Sequence, residues 1–357
     1  DPYQTLSLLN RTTYAYGGEG GFGYEPGQLS NENLQWETST TWNLGVEFEV
    51  LDARLSGSVD AYVTNTDDLL LARQIPQTSG FNSVLQNVGQ TRNQGVELSL
   101  QSVNISSEDP GGFRWTTGFN ISYNDTEIRQ LFGDQEDDIG NEWFIGEPIN
   151  VIYDYKKVGI WQQDEAQQAA EFGQEPGEIK VEDRNGDGAI GGADRFILGQ
   201  ENPPVNAGFN TRLSYQGVSL SAVLVGQFGH MITSSPHDDV NSLFGRYNNL
   251  DVDYWTPDNT DATYPRPNQN QEFPIYGQTL SFFSGDFVKV RSVTLGYDLP
   301  QSIVQQINAE SLRLYLKANQ PFIFSSYVQD HKGIDPEYPE LGTPSTRTFR
   351  FGVNLTL

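Results

Sequence analysis

The chain has 357 residues, 36% of them hydrophobic and 12% aromatic, with no cysteine and a formal charge of -26. Without cysteine there is neither a disulfide scaffold nor a thiolate metal site, and so strong an acidity argues against nucleic-acid binding. No run of about 18 apolar residues exists, so no helix is expected to cross a membrane, whereas a transmembrane strand needs only about 9–11 residues.

The first 35 residues read as the end of a preceding strand and loop, because Gly17, Gly18, Gly20, Gly21 and Gly23 crowd one short stretch. The chain starts at Asp1 with no initiating Met and no signal segment, so an exported protein is expected to have further sequence upstream. From residue 36 onward the dominant pattern is alternation with a period of two. It predicts nine strands, at 36–50, 54–66, 92–104, 113–124, 205–215, 218–228, 286–298, 311–324 and 346–357. In the last of them Phe349, Phe351, Val353, Leu355 and Leu357 share one face, and Thr348, Arg350, Gly352, Asn354 and Thr356 the other.

The connections alternate in length. Those at 51–53, 105–112, 216–217 and 299–310 are short or modest, and those at 67–91, 125–204, 229–285 and 325–345 are long. Short turns on one side and long loops on the other are the mark of an outer-membrane barrel, and compact soluble domains rarely carry several long connections. The fold class expected is therefore all-β, the C-terminal portion of a large antiparallel transmembrane β-barrel, residues 36–357 forming its last strands. An odd strand count suits a part of a barrel whose whole has an even number.

Within the long loop 125–204, Asp183, Asn185, Asp187, Gly188, Ala189 and Asp194 follow the spacing of a calcium loop. Side-chain oxygens fall at positions 1, 3 and 5, the turn glycine at 6, a backbone carbonyl at 7 and a carboxylate at 12. A structural Ca2+ bracing the loop is the expectation; the competing reading is an Asp/Asn/Gly turn that binds nothing. His230, His237 and His331 are the only histidines, and lacking a third partner at metal spacing they read as surface residues. The carboxylate pairs Asp67-Asp68, Asp137-Asp138 and Asp238-Asp239 read as solvated. No nucleophile elbow or other catalytic constellation is present, so the chain does not read as an enzyme. Loop aromatics Trp143, Trp161, Tyr247, Tyr254, Trp255, Tyr264 and Tyr276 are candidates for contact with a substrate or partner, since sugars stack on aromatic faces and Tyr and Trp suit interfaces.

Several segments in order along the chain resemble the SusC/RagA-like TonB-dependent outer-membrane transporters. They are Asn33-Leu-Gln-Trp36-Glu37-Thr-Ser39 with Asn43-Leu-Gly45, Asn87-Val-Gly89 with Asn93-Gln-Gly95-Val-Glu97, and Gly146-Glu-Pro148 before Tyr153-Asp-Tyr155 and Gly159-Ile-Trp161-Gln162. Asp183-Arg-Asn185-Gly-Asp187-Gly188, Asp194-Arg195 and Leu198-Gly199 follow, then Asp286-Phe-Val-Lys289-Val-Arg291, Leu295-Gly296-Tyr297 and Asp335-Pro336-Glu337. The resemblance implies a plugged barrel of the 22-strand type in the outer membrane of a Gram-negative-type cell. It implies TonB-dependent import of an oligosaccharide or peptide beneath a SusD-like surface lipoprotein, with outer-membrane lipid around the wall. The plug and the segment that meets the TonB complex would lie outside this chain. The alternative reading is a secreted, calcium-stabilised β-sandwich that binds glycans.

Overall fold

The computed structural model describes residues 6, 8–131, 136–238, 250–271, 273–342 and 345–357. Strands β1 (Leu8–Tyr16) and β2 (Glu19–Gln28) form a hairpin of their own. Then come β3 (Thr38–Val50) and β4 (Leu55–Asp67), a small hairpin of β5 (Leu70–Gln74) and β6 (Ser83–Asn87), and the long strands β7 (Gln90–Ser106) and β8 (Arg114–Gln130). Four short strands follow: β9 (Val151–Tyr155), β10 (Lys157–Ile160), β11 (Ile179–Val181) and β12 (Arg195–Gln200). The series continues with β13 (Val205–Tyr215), β14 (Val218–Phe228), the short β15 (Met231–Thr233) and β16 (Phe282–Ser284), and ends with β17 (Phe287–Asp298), β18 (Ser311–Phe324) and β19 (Thr348–Thr356). Nine of these hydrogen-bond in one sheet in the order β19-β18-β17-β14-β13-β8-β7-β4-β3, and they are the nine that the alternation predicts. None of the helices among the described residues is long and apolar enough to cross a membrane.

By contacts the chain divides into two compact units, residues 1–45, 60–96 and 124–150 in one, and residues 46–59, 97–123 and 151–357 in the other. The first holds an element that the sequence left as loop. Gly17 and Gly18 both have positive φ and close a two-residue turn between β1 and β2, the geometry that matches the right-handed twist of a hairpin. The other glycines that suggested a loop, Gly20, Gly21 and Gly23, lie within β2, where the Tyr14 ring covers Gly21 and Gly23 and supplies the packing they lack. In the same unit, Asn87 fixes the approach to β3, accepting from the Gln35 N–H at 2.7 Å and donating to the Gln35 carbonyl at 2.9 Å.

The second unit shows why alternation is a strong constraint. Across β18 and β19 the register pairs Leu312 with Leu355, Leu314 with Val353, Leu316 with Phe351 and Ala318 with Phe349, while Arg313 meets Asn354 and Tyr315 meets Gly352. The same phase runs on through β17 and β14, where Leu316 pairs with Leu295 and Leu295 with Leu220. Across these four strands one face is continuously apolar and the other mostly polar. A slip of one residue would exchange them on the strand that slipped. Phe349, Phe351, Leu316 and Leu295 all stand exposed on the apolar face.

Strict alternation fails in β17. Continued from Val293, Leu295 and Tyr297, it would place Arg291 and Lys289 on the apolar face. The structure inserts a bulge instead: Val223 pairs with Ser292 and Leu224 with Val290, so Arg291 is left over. On the other side Val290 pairs with Phe322 and Ser292 with Asn319, leaving Gln320 and Pro321 unpaired. Gln320 takes a positive φ, and Pro321 has no N–H to give to a ladder. The bulge resets the phase. Val288 and Val290 rejoin the apolar face with Phe322 and Phe324, and Lys289 turns to the polar side. Deleting Arg291 from the full-length protein would remove the extra residue and restore unbroken alternation, with Val290 still on the apolar face and Lys289 still on the polar side. Most of the protease-resistant folded protein is expected to be retained, whereas Val290→Arg, which sets a charge on the apolar face, is expected to cost about 2–4 kcal/mol in lipid and to lose much of it.

Candidate functional site

Two long loops of the second unit, sequence-distant from each other, build a small core together. Ile160, Ile179, Val181, Trp255, Ala262 and Leu280 are its buried members, with Tyr155, Ile190, Tyr264 and Tyr276 packed against them. Strand β10 pairs with β11, and β9 with β12. A short helix, α1 (Ala166–Glu171), lies between β10 and β11 in the chain. Trp161 is only 3% exposed and Trp255 4%. The Trp161 indole N–H donates to Gln174 Oε1 at 2.8 Å, and its ring stacks with Phe172 at 5.8 Å and lies 4.2 Å from Lys180 Nζ. The Trp255 indole donates to Gln162 Oε1 at 3.0 Å. Both are braces of the loop core, which corrects the expectation that they face a ligand. An aromatic that packs and one that stacks on a sugar look alike in a sequence.

The other expected contact residues fall in different settings. Tyr264 is packed into the same core, and burial pushes its hydroxyl pKa up to about 12. Tyr276 packs edge-on against Tyr155 at 4.9 Å, and burial raises its pKa as well. Tyr254 is exposed. Trp143, in the first unit, is half-buried and bridges to Asp138. Tyr247 lies outside the described residues. Beside this core a shallow cleft is lined by Glu178, Pro265, Arg266, Asn268, Gln271 and Ile275, among others. Arg266 is engaged there by ion pairs with Glu175 and Glu178.

The calcium-like loop folds into turns that its own side chains close. Asp183 accepts from the N–H groups of Gly186 at 2.8 Å and Gly188 at 3.0 Å, and Asp187 accepts from that of Ala189 at 2.8 Å. Gly186 and Gly188 both take positive φ. Asp194 is almost fully buried and accepts N–H groups of Gly191, Arg184 and Asn185. Those backbone donors, the Gly191 N–H first, hold its pKa below the usual carboxylate range although burial pushes it up. The residues fit a cation in part. The Asp183 and Asp194 carboxyls approach each other, but among the described residues no three His, Asp or Glu side chains converge on one point.

Two polar clusters in the second unit escaped the sequence reading. In the first, Lys289 is 0% exposed. Its ammonium lies 2.6 Å from both Asp335 oxygens and also bonds Glu337, which in turn pairs with Arg291. Two cations and two carboxylates balance, as a buried charge requires. Lys289 and Arg291 flank the bulge of β17, and Asp335 and Glu337 belong to the long loop 325–345. The two motifs are ion-pair partners.

The second cluster corrects the reading of His230 and His237 as surface residues, since they are 6% and 2% exposed, while His331 is exposed as expected. His237 Nε2 faces the His331 carbonyl at 2.9 Å and so must donate. In the neutral ring Nδ1 then accepts from the Ser234 hydroxyl at 2.6 Å, and Ser234 accepts in turn from the Tyr327 hydroxyl at 2.6 Å. Phe283 packs against His237, Tyr327 and His331. Both nitrogens of His237 are engaged and the ring is enclosed, so it stays neutral. Burial, first of all, lowers its pKa. This node joins three loop segments through Ser234, His237 and Tyr327, all buried.

Comparison with known proteins bears on this fold. Residues 2–156 match the family described as TonB dependent receptor-like, beta-barrel. The chain is 29% identical to TonB-dependent receptor P3 of Formosa agariphila, across 99% of this chain and 37% of that protein. It is likewise 29% identical to TonB-dependent receptor SusC of Bacteroides thetaiotaomicron, across 91% of this chain and 32% of that one. Among solved structures, that of the RagAB peptide transporter superimposes with a TM-score of 0.78 at 24% identity, covering 99% of this chain and 39% of the matched chain. The fold is that of a TonB-dependent receptor β-barrel, and the chain spans a little over a third of the length of the first curated relative.

Two outcomes follow from the clusters. Asp335→Ala leaves Lys289 short of a buried partner and is expected to cost about 3–5 kcal/mol, read as faster hydrogen exchange and proteolysis across residues 325–345. Because the His237 pKa is lowered in the fold, its contribution is present above the unfolded value near 6.5 and is lost as pH falls through the folded value. Segments 231–238 and 326–333 are therefore expected to show lower protection factors at pH 5 than at pH 7.5, after correction for the intrinsic exchange rate at each pH, and His237→Gln to flatten that difference.

Proposed function

We propose, from a chain with the fold of a TonB-dependent receptor β-barrel, that the full-length protein imports a large nutrient across the outer membrane of a Gram-negative-type cell. The cargo class is an oligosaccharide or a peptide, the energy comes through the TonB complex, and a SusD-like surface lipoprotein is the partner over the loop side. The observation that carries the reading is the two-faced nine-stranded sheet. The apolar face of β14, β17, β18 and β19 suits hydrocarbon, their mostly polar face suits an aqueous or protein-filled interior, and short turns alternate with long loops along the antiparallel order. Similarity along nearly the whole chain to TonB-dependent receptor SusC and to the RagAB peptide transporter supports it. The alternative of a secreted β-sandwich has no counterpart in these similarities.

The loop core suits this role. Docking by a lid needs a surface that does not rearrange, and the buried Trp161 and Trp255 make the loops a packed unit. Exposed Tyr254 remains a candidate contact for cargo or lid, and so does the outer part of Trp143. We also infer a structural Ca2+ at Asp183, Asn185, Asp187, Ala189 and Asp194, supported by the approach of Asp183 to Asp194 and by the motif spacing.

Full-length protein extracted in detergent from native membranes is expected to carry a SusD-like lipoprotein, identified by mass spectrometry. Recovery from the soluble secreted fraction without a lipoprotein would overturn the reading. Leu316→Arg, on the apolar face, is expected to cost about 2–4 kcal/mol in lipid, and Asn354→Arg, on the polar face, far less. For the metal, Ca2+ is expected to slow proteolysis within residues 183–194 relative to chelator or Mg2+, and Asp183→Ala to abolish that protection; equal cleavage in all three conditions would remove Ca2+ from the account.

A further inference from the structure

Lys289 holds a primary amine that solvent does not reach, at 0% exposure, and Asp335 beside it is 6% exposed. Its Nζ lies 2.6 Å from each Asp335 oxygen, so the carboxyl carbon between them is no more than about 3 Å away, inside the range of roughly 3–3.5 Å from which well-oriented groups react. Further groups are set around this pair. The Glu337 carboxylate bonds the same ammonium, and Arg291 holds that carboxylate by its other oxygen. The Glu337 N–H donates to Asp335 Oδ1 at 3.1 Å, where negative charge builds when the carbon is attacked. The Phe287 ring, itself buried, stands 5.3 Å from Nζ. After Asp335 comes Pro336, which has no N–H, so the backbone amide that commonly captures an activated aspartyl carbon as a cyclic imide is missing.

We propose that Lys289 and Asp335 condense into an amide, a side-chain cross-link that ties the loop 325–345 to β17. Glu337 takes a proton from Nζ, the freed lone pair attacks the Asp335 carbon, and a C–N bond forms as a C–O bond breaks. The ammonium gives up two protons in all. Both leave with the departing Asp335 oxygen as water, passed through Glu337, which ends as the carboxylate it began as. No oxidant or second reactant is needed. The charge balance permits the loss: once Lys289 and Asp335 neutralise each other, Arg291 and Glu337 remain as a matched pair. Desolvation favours the product, because a buried ion pair recovers little of what its two charges lose in leaving water, and an amide carries neither charge. The bond closes a covalent ring between positions 46 apart in the chain, which restricts the unfolded loop.

The test is tryptic peptide mapping by mass spectrometry of the full-length protein, purified folded in detergent and denatured before digestion. In the greater part of the protein the chain is expected to stay uncleaved after Lys289. The peptide ending at Arg291 is expected to be joined to the peptide holding Asp335, at the sum of their masses less one water, with fragmentation placing the bond between those two side chains. Lys289→Arg, which keeps the charge, is expected to abolish the linked peptide and leave two peptides of full mass. Glu337→Gln, which cannot take up the proton, should slow the condensation by roughly 10²–10⁴-fold, so that newly made folded protein yields the two peptides separately. Cleavage after Lys289 in the greater part of the wild-type protein, with both peptides at full mass, would overturn the proposal, and so would linkage undiminished in Glu337→Gln. The readout is a bond and not uptake or capture of a lipoprotein, so this inference and the import reading stand or fall separately.

Discussion

The rest of the structure depends on one constraint: a strand presents successive side chains to opposite faces, and here the two faces meet different surroundings. Register, turn chemistry and the placement of charge all follow from it. Apolar residues oppose apolar residues across β14, β17, β18 and β19 because any other register would carry a polar row into the apolar face. Where the composition of β17 breaks the period, the backbone adjusts. Arg291, Gln320 and Pro321 absorb the mismatch in a bulge, and Lys289 reaches the polar side.

That adjustment also fastens a loop. Once Lys289 is turned inward it needs carboxylates, and Asp335 and Glu337 provide them from a segment more than forty residues on in sequence. A buried ion cluster is weak evidence for net stability, because desolvation cancels much of the attraction. It is strong in specifying one arrangement, since any other leaves a charge unpaired. The Tyr327–Ser234–His237–His331 chain does the same with neutral groups, each donor having one acceptor. The loops over this wall are thus built from polar locks and from an aromatic core, and that core gives Trp161 and Trp255 their burial.

Much of this was legible before any coordinates. The nine strands and the short and long connections between them came from local alternation, because sidedness is a property of neighbours in sequence. The hairpin of β1 and β2 was missed, because glycine in a strand and glycine in a loop look alike until Tyr14 is seen to cover Gly21 and Gly23. Pro321 was the available signal for the bulge, as a residue that cannot donate to a ladder in the midst of a strand.

By itself the sequence determined the periodicity, the fold class and the order of motifs that tie the chain to its relatives. The tertiary structure alone decided which faces the two ends of β17 present, that the Lys289 and Arg291 motif meets the Asp335 and Glu337 motif, and that His237 is enclosed and neutral. The reason is physical. Alternation is local and can be read along the chain, whereas burial and pairing depend on which distant segments meet, and in a sheet a single extra residue changes that for everything beyond it.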